Sequence, residues 1–396
     1  MATRQYTVGF AGARDSYQVP LALAEAGLLS RFVTDFYAPD WIRARDLPGL
    51  QRLGYRHQSS LSSHYAVSSY KVLMADRGGV LRRLALKVSS ARDGQELLSR
   101  AVLKTAMATN SNLLLYAGNA QTAFSHSYSR EVKKILFMYH PHIELSSSIL
   151  LEDMGQHPEV QSELPHLEKD MLDRRVDEEL AIADHIICAS SFTARSILHI
   201  GIPQRKITVI PYGVDSVSLD KRCEKPSGCC NFLFVGSGVQ RKGLHVLCKA
   251  WSKLRLPNAH LTIIARNIDP AISCLIPENS ATLLRGVSSK QLEEEYQRAH
   301  VFVMPSLVEG FGYVYLEAMR NGCYCIGTNN TGLPDIGCSH GIAETVRPGS
   351  VADLQEALSR AAEKHLTGEC DSHASRLCAN QYPWLRFRES LVGLLA

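Results

Sequence analysis

The sequence predicts an α/β protein built of two parallel sheets, each covered by helices on both faces. Short apolar runs such as YTVGFAG, NLLLYAG, KKILFMYH and DHIICAS alternate with longer amphipathic stretches. That alternation is the pattern of buried parallel strands linked by helices. A polar stretch, SVSLDKRCEKPSGCC, interrupts it, and the pattern restarts at NFLFVG. The 396 residues are also too many for one hydrophobic core. Two Rossmann-like halves joined near residues 213–230 satisfy all three observations.

In the first half, YTVGFAG reads as a strand ending in a glycine turn. SYQVPLALAEAGLLS follows as a helix, with Ser16 as its cap and Gly27 as its stop. RFVTDFY is the next strand, and HLEKDMLDRRVDEELAIA is one charged helix before the strand DHIICAS. In the second half, KGLHVLCKAWSKL and SSKQLEEEYQRAH are helices, the latter with Ser288 and Gln291 at capping-box spacing. HLTIIA, ATLLRG, VFVMPS and CYCIGTN are strands, and SVADLQEALSRAAEK is a helix. At the end, YPWLRFRESLVGLL puts Trp384, Phe387, Leu391 and Leu394 on one apolar stripe.

Residues 40–105 fit this alternation poorly. They are polar and rich in Ser and Arg, and read as irregular segments plus helices. Arg77, Arg82, Arg83, Lys87, Arg92, Arg100 and Lys104 there sit at helical spacing beside Leu and Val. Two readings stand: a solvated helix packing its Leu face on the core, or a helix lying on an anionic membrane surface. The net charge is +4, but residues 1–105 hold 15 Lys/Arg against 8 Asp/Glu, leaving 28 against 31 in the remainder. The excess of positive charge therefore sits at the N-terminal end, suited to an anionic substrate or surface. A net charge this small implies no nucleic-acid partner. The eleven cysteines contain no C-x-x-C pair and read as reduced thiols of a cytoplasmic protein. No signal peptide and no transmembrane run is expected.

Ligands of open parallel sheets bind beyond the C-terminal strand ends, and three loops have that position. GFAGARDS carries Gly9 and Gly12 after the first strand. FVGSGVQRKGL brings Arg241 and Lys242 to a helix start, where cations and backbone N–H groups suit a diphosphate. PSLVEGFGYVYLEAMRNG holds two glutamates, Glu309 and Glu317, with a Gly310-Phe311-Gly312 turn between them. A helix starting near Gly312 or Tyr313 and stopping at Gly322 would aim backbone N–H groups of 311–315 at a ligand. Glu309 suits sugar hydroxyls, and Glu317 on the helix suits a vicinal diol such as ribose. His140 and His142 end an apolar strand, placed so that one faces the cleft. No H-E-x-x-H, D-x-D, G-x-S-x-G or P-loop motif occurs.

These stretches, together with TGLPDI and IICASSFTARSIL followed by IPYGVD, resemble retaining glycosyltransferases of family four, with the GT-B fold. The resemblance is strong over about 183–365. It implies an acceptor-side domain, 1–213, a linker, 214–229, and a nucleotide-sugar domain, 230–376. The final segment, 377–396, would return to complete the first domain. It implies Glu317 on the ribose, Arg241 and Lys242 on the diphosphate, and Gly286 and Val287 along the base. Backbone groups of Gly310, Phe311, Gly312, Val314 and Tyr315 would hold sugar and phosphate, with Gly12 across the cleft. Glu309 and His140 would lie at the transferred sugar. Departures are Ser237 where many members have Arg, AGARDS for the paired-glycine loop, and HGIAETVRPGS after the last motif.

The implied reaction moves a sugar from a nucleotide-sugar donor to a hydroxyl of a glycan, lipid or small molecule, with retention and without a metal or other cofactor. Two other classes remain: a non-catalytic nucleotide-sugar or carbohydrate-binding protein of the same fold, and a nicotinamide oxidoreductase. The last would require G-x-G-x-x-G after a strand, which neither half shows.

Overall fold

The computed structural model describes residues 4–35, 37, 72–74, 91–219, 225–337 and 341–396. The first sheet comprises β1 (Tyr6–Gly9), β2 (Leu29–Thr34), β3 (Val72–Met74), β4 (Asn112–Tyr116), β5 (Lys134–Met138), β6 (His185–Cys188) and β7 (Ile207–Val209). The second comprises β8 (Cys230–Val235), β9 (Ala259–Ile264), β10 (Ala281–Leu284), β11 (Val301–Val303), β12 (Tyr324–Thr328) and β13 (Ala343–Val346). Their orders are β3-β2-β1-β4-β5-β6-β7 and β10-β9-β8-β11-β12-β13. Every pairing is parallel. This is the two-sheet GT-B architecture.

The helices that bear on the site are α1 (Gln18–Glu25), α2 (Ala91–Thr109), α3 (Ile143–Gln156), α4 (Leu164–Met171), α5 (Arg175–Ile182), α6 (Ser191–His199), α7 (Leu244–Lys253), α8 (Ser289–Arg298), α9 (Tyr313–Arg320), α10 (Val351–Leu366) and α11 (Trp384–Leu395). Alternate residues of the first sheet feed two cores, as the two-residue period of a strand dictates. Leu114, Ile135 and Phe137 pack with α1 and α11, while Leu113, Leu115 and Leu136 pack with Leu98, Val102 and Ala106 of α2.

In both sheets the strand order reverses beside the first strand, between β1 and β4 and between β8 and β11. Such a reversal opens a crevice at the C-terminal ends of those strands. The loops after β1, β5, β8 and β11 are the ones that carry the candidate residues.

The chain crosses between the halves twice, side by side. Val214 bridges Pro383 in parallel, and the Val214 N–H donates to the Tyr382 carbonyl at 2.9 Å. Gly213 lies so close that a Cβ there would sit 2.7 Å from the Trp384 nitrogen. After the second crossing, α11 lies on the first sheet. Arg388 donates to Glu25 and Gln18 of α1 at 2.8 Å each, and the Tyr6 hydroxyl to the Leu395 carbonyl at 3.2 Å.

Three local expectations need correction. Ser16 does not cap α1: Asp15, Ser16 and Tyr17 adopt consecutive left-handed φ of 40°, 50° and 62°, and Tyr17 occupies the cap position. The charged helix 166–183 is two helices, α4 and α5, because Asp173 accepts from the Arg175 backbone and guanidinium at the break. On α11, Leu395 is buried beside Phe387 and Leu391, and Leu394 is only half-buried. Of the cationic stretch, Arg77, Arg82, Arg83 and Lys87 lie outside the described residues, while Arg100 pairs with Glu96 on α2. No described helix is long and apolar enough to cross a membrane. The nine described cysteines are unbridged thiols, six of them buried, consistent with packing roles.

Candidate active site

The turn after β8 and the loop after β11 bring Lys242, Arg241 and Glu309 together. The Lys242 ammonium contacts Glu309 Oε2, and Arg241 Nη1 reaches the same oxygen at 3.3 Å. Two backbone ties fix this meeting. The Arg241 carbonyl accepts from the Leu307 and Val308 N–H groups at 2.9 and 3.3 Å, and the Glu309 N–H donates to Asn330 at 3.1 Å. Gly243 permits the close approach: its φ is +70°, and a Cβ would lie 2.0 Å from the Pro305 carbonyl oxygen. Burial alone would raise the Glu309 pKa, but Lys242 and Arg241 hold it below the usual carboxylate range.

Gly310 seats the same loop against the first half. A Cβ there would sit 1.9 Å from the Tyr139 carbonyl oxygen. The Gly310 carbonyl accepts from Ser190 and from Thr193 Oγ1, the latter at 3.0 Å. In return, Asp335 of TGLPDI accepts from the Ser191 N–H at the start of α6, at 2.9 Å.

Gly312, with φ of +88°, opens α9. Tyr313 and Val314 are the first residues of this helix, so their N–H groups have no partner within it. The Tyr315 N–H donates to the Gly312 carbonyl at 3.1 Å. The Tyr315 side chain is buried, its hydroxyl donating to the Met304 carbonyl at 2.6 Å. Gly12 likewise spends its N–H on Asp35 at 3.0 Å.

His140 lies beside Lys242, Glu309, Tyr139 and Arg14 in a cleft of about 320 Å³, also lined by Phe311, Gly312, Tyr313 and Val314. As a residue it is exposed at the mouth of this cleft. Enclosure by the cleft walls, then Arg241, Arg14 and Lys242, push its pKa down to about 4 against the pull of Glu309. The ring is neutral at pH 7 and can exchange hydrogen bonds with a sugar. His142 does not enter the cleft. It is buried, caps α3 by accepting from the Glu144 N–H at 3.3 Å, and faces Asp177 at 3.0 Å.

Glu317 sits apart from Glu309, beyond Tyr313, in a pocket shared with Asp15, Ser16, Asp215 and Arg320. Its Oε2 accepts from the Tyr296 hydroxyl at 3.0 Å, and burial raises its pKa. Gly286 and Val287 line neither space; they lie between β10 and α8, the helix that carries Tyr296.

Sequence reading missed Arg14, Asp15, Tyr139, Tyr212 and the side chain of Tyr313. Arg14 lies over the Tyr139 ring at 3.8 Å and donates to its hydroxyl at 3.0 Å. Asp15 is buried, bonded to the Tyr116 hydroxyl, and lifted to about 7 by burial. Tyr212 of the crossing stacks on Tyr313 at 4.5 Å. The available signals were the charged pair directly after the glycine turn of GARD and the places of Tyr139 and Tyr313 beside His140 and Gly312.

Two family descriptions match the chain: Glycosyltransferase Family 4 over residues 109–217 and Glycosyl transferases group 1 over 220–375. The chain belongs to this glycosyltransferase family. Among curated relatives, it is 23% identical over 216 residues to the phosphatidylinositol N-acetylglucosaminyltransferase gpi3 subunit of Schizosaccharomyces pombe, covering 52% of this chain and 47% of that one. It is 29% identical to the D-inositol 3-phosphate glycosyltransferase of Pseudarthrobacter chlorophenolicus, covering 36% and 39%. The matches thus span about half the length of these relatives or less.

Among solved structures, the sucrose-phosphate synthase of Thermosynechococcus elongatus superposes with a TM-score of 0.64 at 17% identity, over 99% of this chain and 98% of that one. The Anabaena HepE protein in complex with UDP-glucose gives 0.59 at 14%, over 99% of both. At these identities the likeness establishes the fold.

Proposed function

We propose that the protein is a glycosyltransferase that moves a sugar from a nucleoside diphosphate sugar to an acceptor hydroxyl with retention of configuration. The observation that carries this reading is the convergence of Lys242 and Arg241 on Glu309, at the start of α9 and facing His140 across the cleft. Two cations and a helix N-terminus make a site for a diphosphate. As the glycosidic bond loosens, negative charge grows on that diphosphate. Lys242, Arg241 and the N–H groups of Tyr313 and Val314 stabilise it, without a metal. The anomeric carbon becomes positive, and the Glu309 carboxylate lies where it can offset that charge. Neutral His140 orients the sugar. The acceptor hydroxyl approaches from the first half, on the face the diphosphate leaves, and its proton passes to the departing phosphate oxygen.

Glu317, held by Tyr296, takes the ribose hydroxyls. Relatives named for inositol-containing acceptors, and a neighbour holding UDP-glucose, support a nucleotide-sugar donor and a hydroxylated acceptor, whether glycan, lipid or small molecule. Thermal-shift measurement with UDP, GDP and ADP, followed by hydrolysis of the matching nucleotide sugars, tests the reading. Stabilisation follows RT ln(1 + [L]/Kd). A chain that is stabilised by none of them, or that binds a nucleotide sugar and never cleaves it, is not this enzyme; the second result identifies a binding protein of the same fold.

A further inference from the structure

Behind the cleft, buried polar groups of the two halves meet at Asp153. This residue lies near the end of α3 and is 5% exposed. Its Oδ2 accepts from Gln240 Nε2 at 2.9 Å and lies 3.1 Å from His245 Nε2. Gln240 also donates to the Leu150 carbonyl of α3 at 2.8 Å. Both partners belong to the second half, and they flank Arg241 and Lys242: Gln240 opens the short turn that ends in Lys242, and His245 lies in the first turn of α7. One turn beyond Asp153, His157 accepts at Nδ1 from Lys249 at 2.7 Å and faces the Gly349 carbonyl with Nε2 at 3.4 Å.

Asp153, His157 and His245 bring potential metal ligands within 4.8 Å of one another. The hydrogen bonds argue for a different role. A metal on both Nε2 atoms would leave the proton of each neutral ring on Nδ1. At His157 that proton would meet the Lys249 ammonium, which already donates there. Without a metal the donors find acceptors. Lys249 serves His157 Nδ1, His157 Nε2–H serves Gly349, and His245 Nε2–H and Gln240 serve Asp153.

We propose that Asp153 is a positioning residue: from across the domain interface it sets the turn that presents Arg241 and Lys242, so that these cations are in place only when the halves are docked. This rests on the reading of Arg241 and Lys242 as diphosphate ligands. The turn is tied to its own half through the Arg241 carbonyl and the Gly243 contact with Pro305. Its leading residue, Gln240, is tied to the other half, through Asp153 and Leu150. A buried carboxylate makes strong, directional bonds to such donors, and separating the halves would leave the charge and both donors without partners. Domain docking and anion affinity are thereby linked through one side chain.

The test is calorimetric titration of the full chain with inorganic pyrophosphate, which probes the cations without any base or sugar. The variants are Lys242→Ala, Asp153→Asn, Gln240→Leu and the Asp153→Asn/Gln240→Leu pair. Asp153→Asn keeps the shape but turns an amide donor toward existing donors. It should weaken pyrophosphate about tenfold, the weight of one bond to a charged group. Gln240→Leu should do about the same, and the pair should lose no more than the worse single change, because both act through one contact. Should Asp153→Asn fail to fold, Gln240→Leu carries the comparison. If both single variants bind like the unmodified chain while Lys242→Ala does not, the inference is wrong and the diphosphate reading stands. If Lys242→Ala changes nothing, or the unmodified chain binds no pyrophosphate, the diphosphate reading falls and takes the inference with it. Stoichiometric Zn²⁺ binding that Asp153→Asn abolishes would also overturn it, in favour of a metal centre.

Discussion

The Lys242 ammonium rests on the Glu309 carboxylate, and Arg241 shares the same oxygen at 3.3 Å. One carboxylate thus occupies two cations that a diphosphate would claim. Glu309→Ala should therefore leave UDP binding intact or tighten it, while lowering kcat by about 10²-fold, the scale of one lost electrostatic contact at a reacting centre. Calorimetry with UDP beside turnover of the donor separates the two effects. Weaker UDP binding in Glu309→Ala would contradict the placement of this residue at the sugar.

Glu317 should fail in the opposite sense. Its bonds to ribose exist equally in ground and transition states, so Glu317→Ala should raise donor KM more than it lowers kcat. It should weaken UDP and leave pyrophosphate unchanged. Tyr296→Phe, which removes the phenol that holds Glu317 at 3.0 Å, should shift UDP binding in the same direction by less. Equal losses for UDP and pyrophosphate would move Glu317 to the phosphates.

Asp15 sets a pH dependence of stability. Burial lifts its pKa from 3.8 to about 7, against the opposing pull of Tyr116 and Arg14. Between those values the folded chain keeps a proton that the unfolded chain gives up. The contribution is complete below 3.8 and is lost as pH rises through 7. Asp15→Asn carries no charge at any pH, so the fall in melting temperature from pH 5 to pH 8 should shrink. An unchanged difference would show that Asp15 is ionised throughout.

Gly310→Ala drives a methyl into the Tyr139 carbonyl, 1.9 Å away. Overpacking of this kind destabilises by about 1–3 kcal/mol, and here it also pushes the halves apart, so turnover should fall more than tenfold. Gly94→Ala, in α2 with nothing within 4 Å, should instead stabilise by about 0.5–1 kcal/mol. Denaturant titration of both variants is the comparison; a neutral Gly310→Ala would mean that the halves do not meet there during catalysis.

Turnover should persist in excess EDTA, since Lys242, Arg241 and the start of α9 supply the charge a metal would otherwise provide. Activity lost to chelation and restored by Mg²⁺ or Mn²⁺ would reverse this.

The strands and most helices were legible because their signals are local. Apolar runs mark β4, β5 and β8, and the capping box at Ser288 and Gln291 forms as spaced. The Glu309 loop was legible because its chemistry and its glycines lie within one short stretch. What escaped depends on distant segments. The left-handed run at Asp15–Tyr17 is held by Tyr116, more than 90 residues away in the chain. Nothing in the sequence around Asp153 marks it, because its partners Gln240 and His245 lie in the other half.

The double crossing at Val214 and Pro383 has a consequence for how the chain is made. Phe387, Leu391 and Leu395, all buried on the first half, are synthesised after the whole second half. While the ribosome is still translating residues 230–380, the face of the first sheet beside α1 waits uncovered, its apolar side chains open to chaperones or to a neighbouring nascent chain. Closing that face must await this segment, and its docking sets the second crossing beside the first. A ribosome stalled before residue 384 would leave a chain whose second half can be finished while its first still lacks α11.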